Sequence, residues 1–155
     1  MSKVTVVPRK ASKHLQFKRL CGEAIIPTRA HEGDAGYDLY LLNDVGLDVG
    51  ERHLASTGIA VAIPQGFVGL VTPRSGLANK FGLSVTNSPG IVDSGYRGEL
   101  KVILHNLGQE PVLFRAGERV AQLVITTFYS GKSEVVSEFA GETQRDEGGF
   151  GSSGK

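Results

Sequence analysis

The chain has 155 residues, of which 40% are hydrophobic and 21% charged, and its formal net charge is +1 at pH 7. This composition is typical of one soluble globular domain, and so small a charge gives no bulk electrostatic case for binding nucleic acid or an acidic membrane. No segment has the length and apolarity of a transmembrane helix, and the N-terminus lacks the apolar core of a signal peptide. The single cysteine, Cys21, cannot form an intrachain disulfide, which fits a reducing compartment. We therefore expect a cytoplasmic protein without membrane association or specific nucleic-acid binding.

The first predicted unit is a basic arm, residues 1–14, which contains lysines and an arginine but no acidic residue. Such a pattern also occurs in transit peptides and in arms that bind nucleic acid. A solvated arm that leads into the first strand is the favoured interpretation, because the basic run is short and Pro8 interrupts it.

After this arm, short apolar and β-branched runs alternate with turn signals, which is typical of strands. The predicted strands are Leu15–Leu20, Tyr37–Leu42, Thr57–Ile63, Phe67–Thr72, Leu100–Leu104, Val112–Phe114, Val120–Tyr129 and Val135–Phe139. Only Ser75–Phe81 has a helical pattern, with Ser75 as a candidate N-cap and Gly82 as a candidate stop. The turn spacing predicts an all-β sandwich or barrel over residues 15–140.

The C-terminal segment, residues 141–155, is rich in Gly and has too little apolar surface to fold alone. A flexible terminus is the simpler interpretation of this composition. An arm that orders over a ligand also fits, because Phe150 in its Gly/Ser frame can stack on a ring and Arg145 can pair with an anion.

Three earlier segments contain side chains suited to an anion or a metal ion. Asp38 lies among apolar residues, where a carboxylate needs a partner such as a hydrated divalent cation, although an aspartate that faces solvent or pairs with an arginine is the commoner case. Arg74, Ser75 and Gly76 join a strand to the helix, where a guanidinium and backbone amides suit phosphate, although an ordinary helix start also explains them. Gln122, in the strongest strand, either offers its amide to a ligand or faces a sheet edge.

The segment 85–100 holds a carboxylate, Asp93, on a turn between glycines, with Asn87 before it and Tyr96 after it. A carboxylate on a rigid turn acts as a general base when its geometry and pKa suit the reaction. The glycines allow the backbone to approach a flat ligand closely. Without a ligand, the same segment is interpreted as a β-hairpin with a turn aspartate.

Together these five segments resemble the five ordered motifs of the trimeric deoxyuridine triphosphate nucleotidohydrolases, the dUTPases. The similarity runs from about Leu15 to Lys155, and residues 74–98 are close to the bacterial form of the family. The resemblance implies a jelly-roll-like β-barrel and a homotrimer in which each active site draws residues from all three chains. It also implies hydrolysis of dUTP to dUMP and pyrophosphate, which limits uracil incorporation into DNA and supplies dUMP for dTMP synthesis.

The resemblance further implies a role for each site residue. Asp93 would deprotonate the water that attacks the α-phosphorus, and Tyr96 would pack under the deoxyribose and exclude a 2′-hydroxyl. Asp38 would act through waters of a Mg²⁺ ion that the triphosphate chelates. Phosphate contacts would come from Arg74, Ser75, Gly76, Gln122 and Arg145. Uracil and deoxyribose contacts would come from Asn87, Gly90, Val92, Tyr96, Lys101 and Phe150. Asp146 departs from the pattern, because the family usually has Gly after this arginine.

Other interpretations remain open at the level of sequence. A dCTP deaminase shares the barrel, but it should need a glutamate and other polar groups around the cytosine C4, whereas Asp93 and Tyr96 have the dUTPase arrangement. A protein of dUTPase fold that binds regulatory proteins is another alternative, and a structural jelly-roll protein is a third. The third leaves the co-occurrence of Arg74, Asp93 and Gln122 unexplained.

Overall fold

The computed structural model describes residues 12–141 and 143. Within them the chain is built from strands and one short helix, α1 (Ser75–Phe81), so the predicted all-β class is confirmed. The strands are β1 (Gln16–Arg19), β2 (Gly36–Tyr40), β3 (Val45–Leu47), β4 (Arg52–Ala62), β5 (Phe67–Pro73), β6 (Leu83–Val85), β7 (Gly90–Val92), β8 (Glu99–Asn106), β9 (Val112–Phe114) and β10 (Arg119–Thr127).

The strands form two four-stranded antiparallel sheets and one short pair. The first sheet has the order β1-β4-β8-β6, the second has the order β2-β10-β5-β7, and β3 pairs with β9. Strands that follow each other in the chain mostly lie in different sheets, so the backbone crosses repeatedly from one sheet to the other. This exchange between sheets is typical of a jelly roll.

The core is apolar and is built from alternate residues of the strands. In β8, Leu100, Val102 and Leu104 are buried and the residues between them are more exposed, as expected for a strand with one face inward. Leu39 of β2 and Leu123 of β10 are fully buried in the same cluster. Burial of these side chains drives the packing and leaves the polar residues of β2 and β10 at its margin.

The ends of α1 agree only partly with the sequence. Gly82 is the C-cap, in the left-handed conformation with φ 67°, and its N–H bonds to the carbonyls of the last turn, as predicted. Ser75 is not the N-cap, which corrects the prediction. The N-cap is Arg74, which has extended backbone and no capping side-chain hydrogen bond, so the helix begins one residue earlier than a Ser75 cap would require.

Segment 85–100 is not a β-hairpin, which corrects the sequence interpretation. β6 pairs with β8 in the first sheet, whereas β7 pairs with β5 in the second. The chain therefore crosses between the sheets before β7 and again after it. Asp93 lies at the second crossing, directly after β7.

The predicted strand Val135–Phe139 is wrong. No strand occurs between Thr127 and Gly141, and the side chains of Val135 and Phe139 are almost fully exposed. High β-propensity forms a strand only where another strand supplies the hydrogen-bonding ladder, and within the described residues none does so here. The sequence also did not predict four segments that are strands: β3, β6, β7 and the first half of β4. Segments of three to five residues are too short to show a clear hydrophobic periodicity.

The division into an arm at 1–14, a barrel at 15–140 and an arm at 141–155 stays a prediction. The observed strands extend from Gln16 to Thr127, inside the predicted barrel. In the part of the chain that the structure describes, no helix has the length and apolar character needed to cross a membrane.

Candidate active site

One cleft, here called the Arg74 cleft, brings together five of the predicted site residues. Its volume is about 460 Å³, and its lining includes Asp38, Arg74, Ser75, Gly76 and Gln122. These residues come from β2, from the junction of β5 with α1, and from β10, far apart in the sequence. The second sheet makes them neighbours, because β10 lies between β2 and β5.

Strand register fixes Gln122 at the centre of this cleft. Gln122 lies directly opposite Asp38 on one side and opposite Thr72 on the other. Its Nε2 donates a hydrogen bond to the carbonyl oxygen of Pro73 at 3.0 Å. A Cβ on Gly36 would overlap Gln122 Oε1, so glycine at this position makes room for the amide.

Asp38 is only 8% exposed and is paired with two arginines. Arg74 Nε lies 2.9 Å from Asp38 Oδ1, and Arg119 Nη1 donates to Asp38 Oδ2 at 3.1 Å. A carboxylate in so little water needs such partners. The two guanidinium groups balance the charges of Asp38 and of Asp34, which lies in the same cleft, and their N–H donors suit phosphate oxygens.

Arg119 is a residue of this cluster that the sequence interpretation missed. The sequence shows only a basic residue three positions before Gln122 at the start of a strand, where an arginine is usually a solvated surface residue. Its contact with Asp38 depends on the pairing of β10 with β2, which no local motif reveals.

A second cleft, here called the Asp93 cleft, holds four other predicted site residues. Its volume is about 640 Å³, and its lining includes Val92, Asp93, Tyr96 and Lys101. Leu54 adds an exposed apolar side chain to its wall. Glu99 also lines the cleft and lies 3.6 Å from the Lys101 ammonium, so the cleft combines an apolar surface with the Asp93 carboxylate and this ion pair, which suits a flat polar ring.

The turn that follows Asp93 is held by its own hydrogen bonds. The Tyr96 N–H donates to the Asp93 carbonyl at 3.0 Å, and the Tyr96 hydroxyl donates to the Glu99 carbonyl at 2.9 Å. Arg97 Nη1 donates to the carbonyls of Ser94 and Tyr96, each at 2.7 Å. These contacts fix the direction of the Tyr96 ring, while the Asp93 side chain stays exposed.

Gly98 leaves room for the Tyr96 ring in its observed position. A Cβ on Gly98 would come 2.5 Å from Tyr96 Oη and 2.7 Å from Tyr96 Cζ. Real Cβ contacts are not so short, so any side chain here would displace the ring. The Gly in this turn thus shapes the Asp93 cleft without lining it.

The remaining predicted residues lie apart from these clefts or outside the described chain. Asn87 is exposed and lines neither cleft, but its Nδ2 would lie 3.1 Å from a Cβ placed on the buried Gly90. Its amide therefore sits beside the start of β7. Arg145, Phe150 and the unusual Asp146 lie outside the described residues.

The two clefts share no lining residue. Among the described residues of one chain, the structure thus presents the predicted site as two separate depressions. A larger depression of about 730 Å³ lies between α1 and the loop after β8, and none of the predicted site residues lines it.

The described residues contain no group of three His, Cys, Asp or Glu side chains that could hold a metal ion. Two carboxylates, Asp34 and Asp38, line the Arg74 cleft, but both have protein partners: Asp34 accepts the His31 N–H at 2.9 Å. This donor set does not fit an ion held by protein alone. It fits Mg²⁺ that arrives with phosphate and water ligands and meets a carboxylate through water.

The fold and the two clefts define a class: an all-β barrel with one cleft that presents an arginine and an amide side chain, and a separate carboxylate on a turn. Comparison with known proteins makes this class specific, because the family model described as dUTPase matches residues 22–154. The chain therefore belongs to the dUTPase family.

Individual relatives agree with this assignment. A deoxyuridine 5'-triphosphate nucleotidohydrolase of Mycobacterium sp. (strain JLS) is 53% identical over 148 residues, covering 92% of this chain and 96% of the relative. A mutant dUTPase of Staphylococcus bacteriophage 80alpha, solved with dUpNHpp, has a TM-score of 0.87 at 33% identity and covers 93% of this chain and 100% of its own. The jelly-roll fold is thus confirmed.

A third solved structure concerns a metal ion. A mutant dUTPase from phage phi11 of S. aureus has a TM-score of 0.76 at 30% identity, covering 83% of this chain and 99% of its own. That structure is described as revealing how a structural Mg(II) ion is coordinated.

Proposed function

We propose that this chain hydrolyses dUTP to dUMP and pyrophosphate, which limits uracil incorporation into DNA and supplies dUMP for dTMP synthesis. One observation carries the proposal: a chain of the dUTPase family contains both the Arg74 cleft, with its guanidinium and amide donors, and the carboxylate-bearing Asp93 cleft. The first suits the phosphate chain of a nucleotide, and the second suits its sugar and base.

In the proposed mechanism, the Arg74 cleft binds the phosphates. The Arg74 guanidinium and the backbone amides of Ser75 and Gly76 donate hydrogen bonds to phosphate oxygens, and Gln122 contributes its amide. The two guanidinium groups held at Asp38 support this role. Arg145, from the C-terminal arm, adds a further guanidinium to the γ-phosphate.

Asp93 is the proposed general base. Its exposed carboxylate accepts a proton from the water that attacks the α-phosphorus in line, and the pyrophosphate leaves from the opposite side. The hydrogen-bonded turn after it supports this role, because a base on a rigid element keeps its orientation toward the water.

The sugar and base are proposed to lie over the apolar part of the Asp93 cleft. Tyr96 packs against the deoxyribose and leaves no space for a 2′-hydroxyl, and Lys101 and Val92 line the same depression. Asn87 and the backbone at Gly90 bind the uracil edge, where a thymine methyl would collide. Phe150 closes over the base and excludes bulk water.

We propose that Mg²⁺ enters with the triphosphate and that Asp38 holds it through water. When bound, Mg²⁺ offsets the negative charge of the phosphate chain and of the leaving pyrophosphate. The donor set of the Arg74 cleft supports a shared ion of this kind. Because Asp38 is engaged by two arginines, its own part is to orient the ion's waters.

We also propose a homotrimer in which the Arg74 cleft of one chain meets the Asp93 cleft of another. Support comes from the separation of the clefts and from the segment after β10, where Tyr129, Val135 and Phe139 are almost entirely exposed. Large apolar side chains in such a segment favour a covering partner chain. A cytoplasmic location stays a prediction of the sequence.

The first experiment measures pyrophosphate release from dUTP, dCTP, dTTP and UTP, with Mg²⁺ and after its removal by a chelator. We expect release from dUTP alone, and much less of it without the metal. Ammonia release from dCTP would instead favour the deaminase interpretation. No release from any of the four nucleotides by folded protein would overturn the proposal.

The shared site is tested by coexpressing Asp93→Asn and Arg74→Gln chains, each inactive when alone. If each site takes Arg74 and Asp93 from different chains, mixed trimers contain some sites with neither substitution, and part of the activity returns. Sedimentation measures the oligomer in parallel. A stable, active monomer would contradict the homotrimer.

A further inference from the structure

Arg119 contacts the centre of the Arg74 cleft, yet none of the roles above belongs to it. Its Nη1 donates to Asp38 Oδ2 at 3.1 Å, while Arg74 Nε lies 2.9 Å from Asp38 Oδ1. Each oxygen of one nearly buried carboxylate thus has its own arginine. Arg119 also reaches Arg74 from its backbone, since its carbonyl accepts a long hydrogen bond of 3.4 Å from Arg74 Nη1.

A β-bulge brings the Arg119 side chain to this position. In the pairing of β10 with β2, Gln122 lies opposite Asp38 and Ala121 opposite Leu39, but Arg119 lies opposite Tyr40, so Val120 is an extra residue. In a regular strand Arg119 would share a face with Ala121 and Leu123, which are both fully buried.

The bulge changes this alternation. Val120 and Ala121 are buried in succession, and Arg119 turns to the face that carries Gln122 and Asp38. Bulges are frequent beside active sites because they redirect a side chain in this way. A strand start that served only stability would need no such irregularity to place an exposed arginine.

We propose that Arg119 is a positioning residue for the reaction: it holds Asp38, and through Asp38 the guanidinium of Arg74, in the orientation that meets the triphosphate. This inference rests on the proposed function. A long arginine side chain loses rotamer freedom when it binds a ligand, and a carboxylate already fixed by Arg119 reduces that loss. Without Arg119, Asp38 has Arg74 as its one arginine partner and competes with the phosphates for it.

The test uses Arg119→Gln and Arg119→Lys, with Arg115→Gln as the matched control. Arg115 lies in the turn just before β10 and also pairs with an aspartate, Asp44, at 2.7 Å, but it lines neither cleft. Direct titration measures the binding of a non-hydrolysable dUTP analogue and of dUMP. Pyrophosphate release gives kcat and KM, and thermal unfolding reports stability.

We expect Arg119→Gln to weaken binding of the triphosphate analogue about 10- to 100-fold, the range of a lost hydrogen bond to a charged group, with little change for dUMP. KM for dUTP should rise more than kcat falls. Arg119→Lys should keep part of the affinity, since lysine has the same charge but its compact ammonium group lacks the planar set of donors of a guanidinium. Arg115→Gln should leave both affinities unchanged.

Three results would overturn the positioning role: unchanged analogue binding in Arg119→Gln, equal losses for the analogue and dUMP, or a loss that follows the melting temperature in all three variants. Failure of the proposed function is separate and visible in the wild type. A wild-type protein that binds the analogue but releases no pyrophosphate from dUTP would refute hydrolysis, and the titrations would still judge Arg119.

Discussion

The Arg74 cleft and the Asp93 cleft differ in how far one chain completes them. In the Arg74 cleft the polar side chains have protein partners. Two arginines form ion pairs with Asp38, and Gln122 donates a hydrogen bond to the last residue of β5. In the Asp93 cleft the carboxylate is exposed and, within the described residues, makes no side-chain hydrogen bond, so only the turn beneath it is fixed.

This difference follows from the chemistry proposed for the two clefts. Anion-binding groups are positively charged and can be preassembled around a buried carboxylate, because each ion pair satisfies the next. A general base must keep a lone pair free for the attacking water, so protein partners that satisfied Asp93 would also reduce its reactivity. Folding of one chain therefore arranges the polar side chains of the Arg74 cleft, whereas the Asp93 side chain stays exposed and available to a ligand.

The largest expected effect is in the Asp93 cleft. Asp93→Asn should retain binding of a dUTP analogue but lower turnover about 100- to 10,000-fold, the usual contribution of a general base. Single-turnover pyrophosphate release measures this, with Asp48→Asn, an exposed aspartate outside both clefts, as control. Near-normal turnover in Asp93→Asn would remove this residue from the base role.

A smaller effect is expected when the Arg74 cleft is changed by a substitution that replaces none of its polar side chains. Gly36→Ala places a Cβ against Gln122 Oε1, so the amide must swing away. We expect analogue affinity to fall about 2- to 10-fold, as for one neutral hydrogen bond, with little loss of stability because the Gln122 side chain can move.

The control for this substitution is Gly22→Ala, whose added Cβ meets nothing within 4 Å. Titration of both variants decides the outcome. Equal affinities in the two would show that Gln122 makes no useful contact with the phosphates.

In the turn beside the Asp93 cleft, Gly98→Ala is the test variant and Gly95→Ala is its matched control. A Cβ on Gly98 collides with the Tyr96 ring, whereas one on Gly95 meets nothing within 4 Å. We expect a few-fold fall in the selectivity for dUTP over UTP in Gly98→Ala only, because the Tyr96 ring, which is proposed to exclude the 2′-hydroxyl, has moved. The ratio of kcat/KM for the two nucleotides measures this, and unchanged selectivity would argue against Tyr96 as the sugar gate.

The smallest effect concerns an ion pair outside both clefts. The Ala116 N–H and then the Arg115 guanidinium hold the pKa of Asp44 below its usual value. A depressed carboxylate pKa stabilises the fold above the unfolded-state pKa, and this stabilisation is lost as the pH falls through the folded-state pKa.

Asp44→Asn should therefore lower the melting temperature slightly at neutral pH and not at all in acid, with catalysis unchanged. Thermal scans across pH measure it, and adding Arg115→Gln should add little of its own, since the two residues share the interaction. A difference that persists in acid would assign the effect to something other than charge.

Much of the site could be predicted because it lies in short local motifs. The residue types around Asp93 and around Arg74 have few structural explanations in combination, and the structure groups most of them into the two clefts. The contact of Arg119 could not be predicted, because it depends on a bulge and on pairing with the strand of Asp38, which lies 81 positions earlier in the sequence. The roles of the individual residues stay predictions until the variants are measured.

The fold shows the same limit. Alternation in β8 and the glycine after α1 are local signals, and both were interpreted correctly. The strand predicted at Val135–Phe139 had the propensity but no partner strand, and the segment around Asp93 was interpreted as a hairpin although its strands pair elsewhere. Propensity is local, whereas pairing is decided by which edges meet in three dimensions.

By itself, the sequence determined the all-β class, the family pattern and nine of the residues that line the two clefts, because those depend on residue type and short spacing. Only the tertiary structure decided that Asp38 is held by two arginines, that Gln122 lies opposite it, and that the clefts are separate within one chain. These features arise where distant strands become neighbours. Register and burial then choose which polar groups meet, and that choice is made by the packing of the whole barrel.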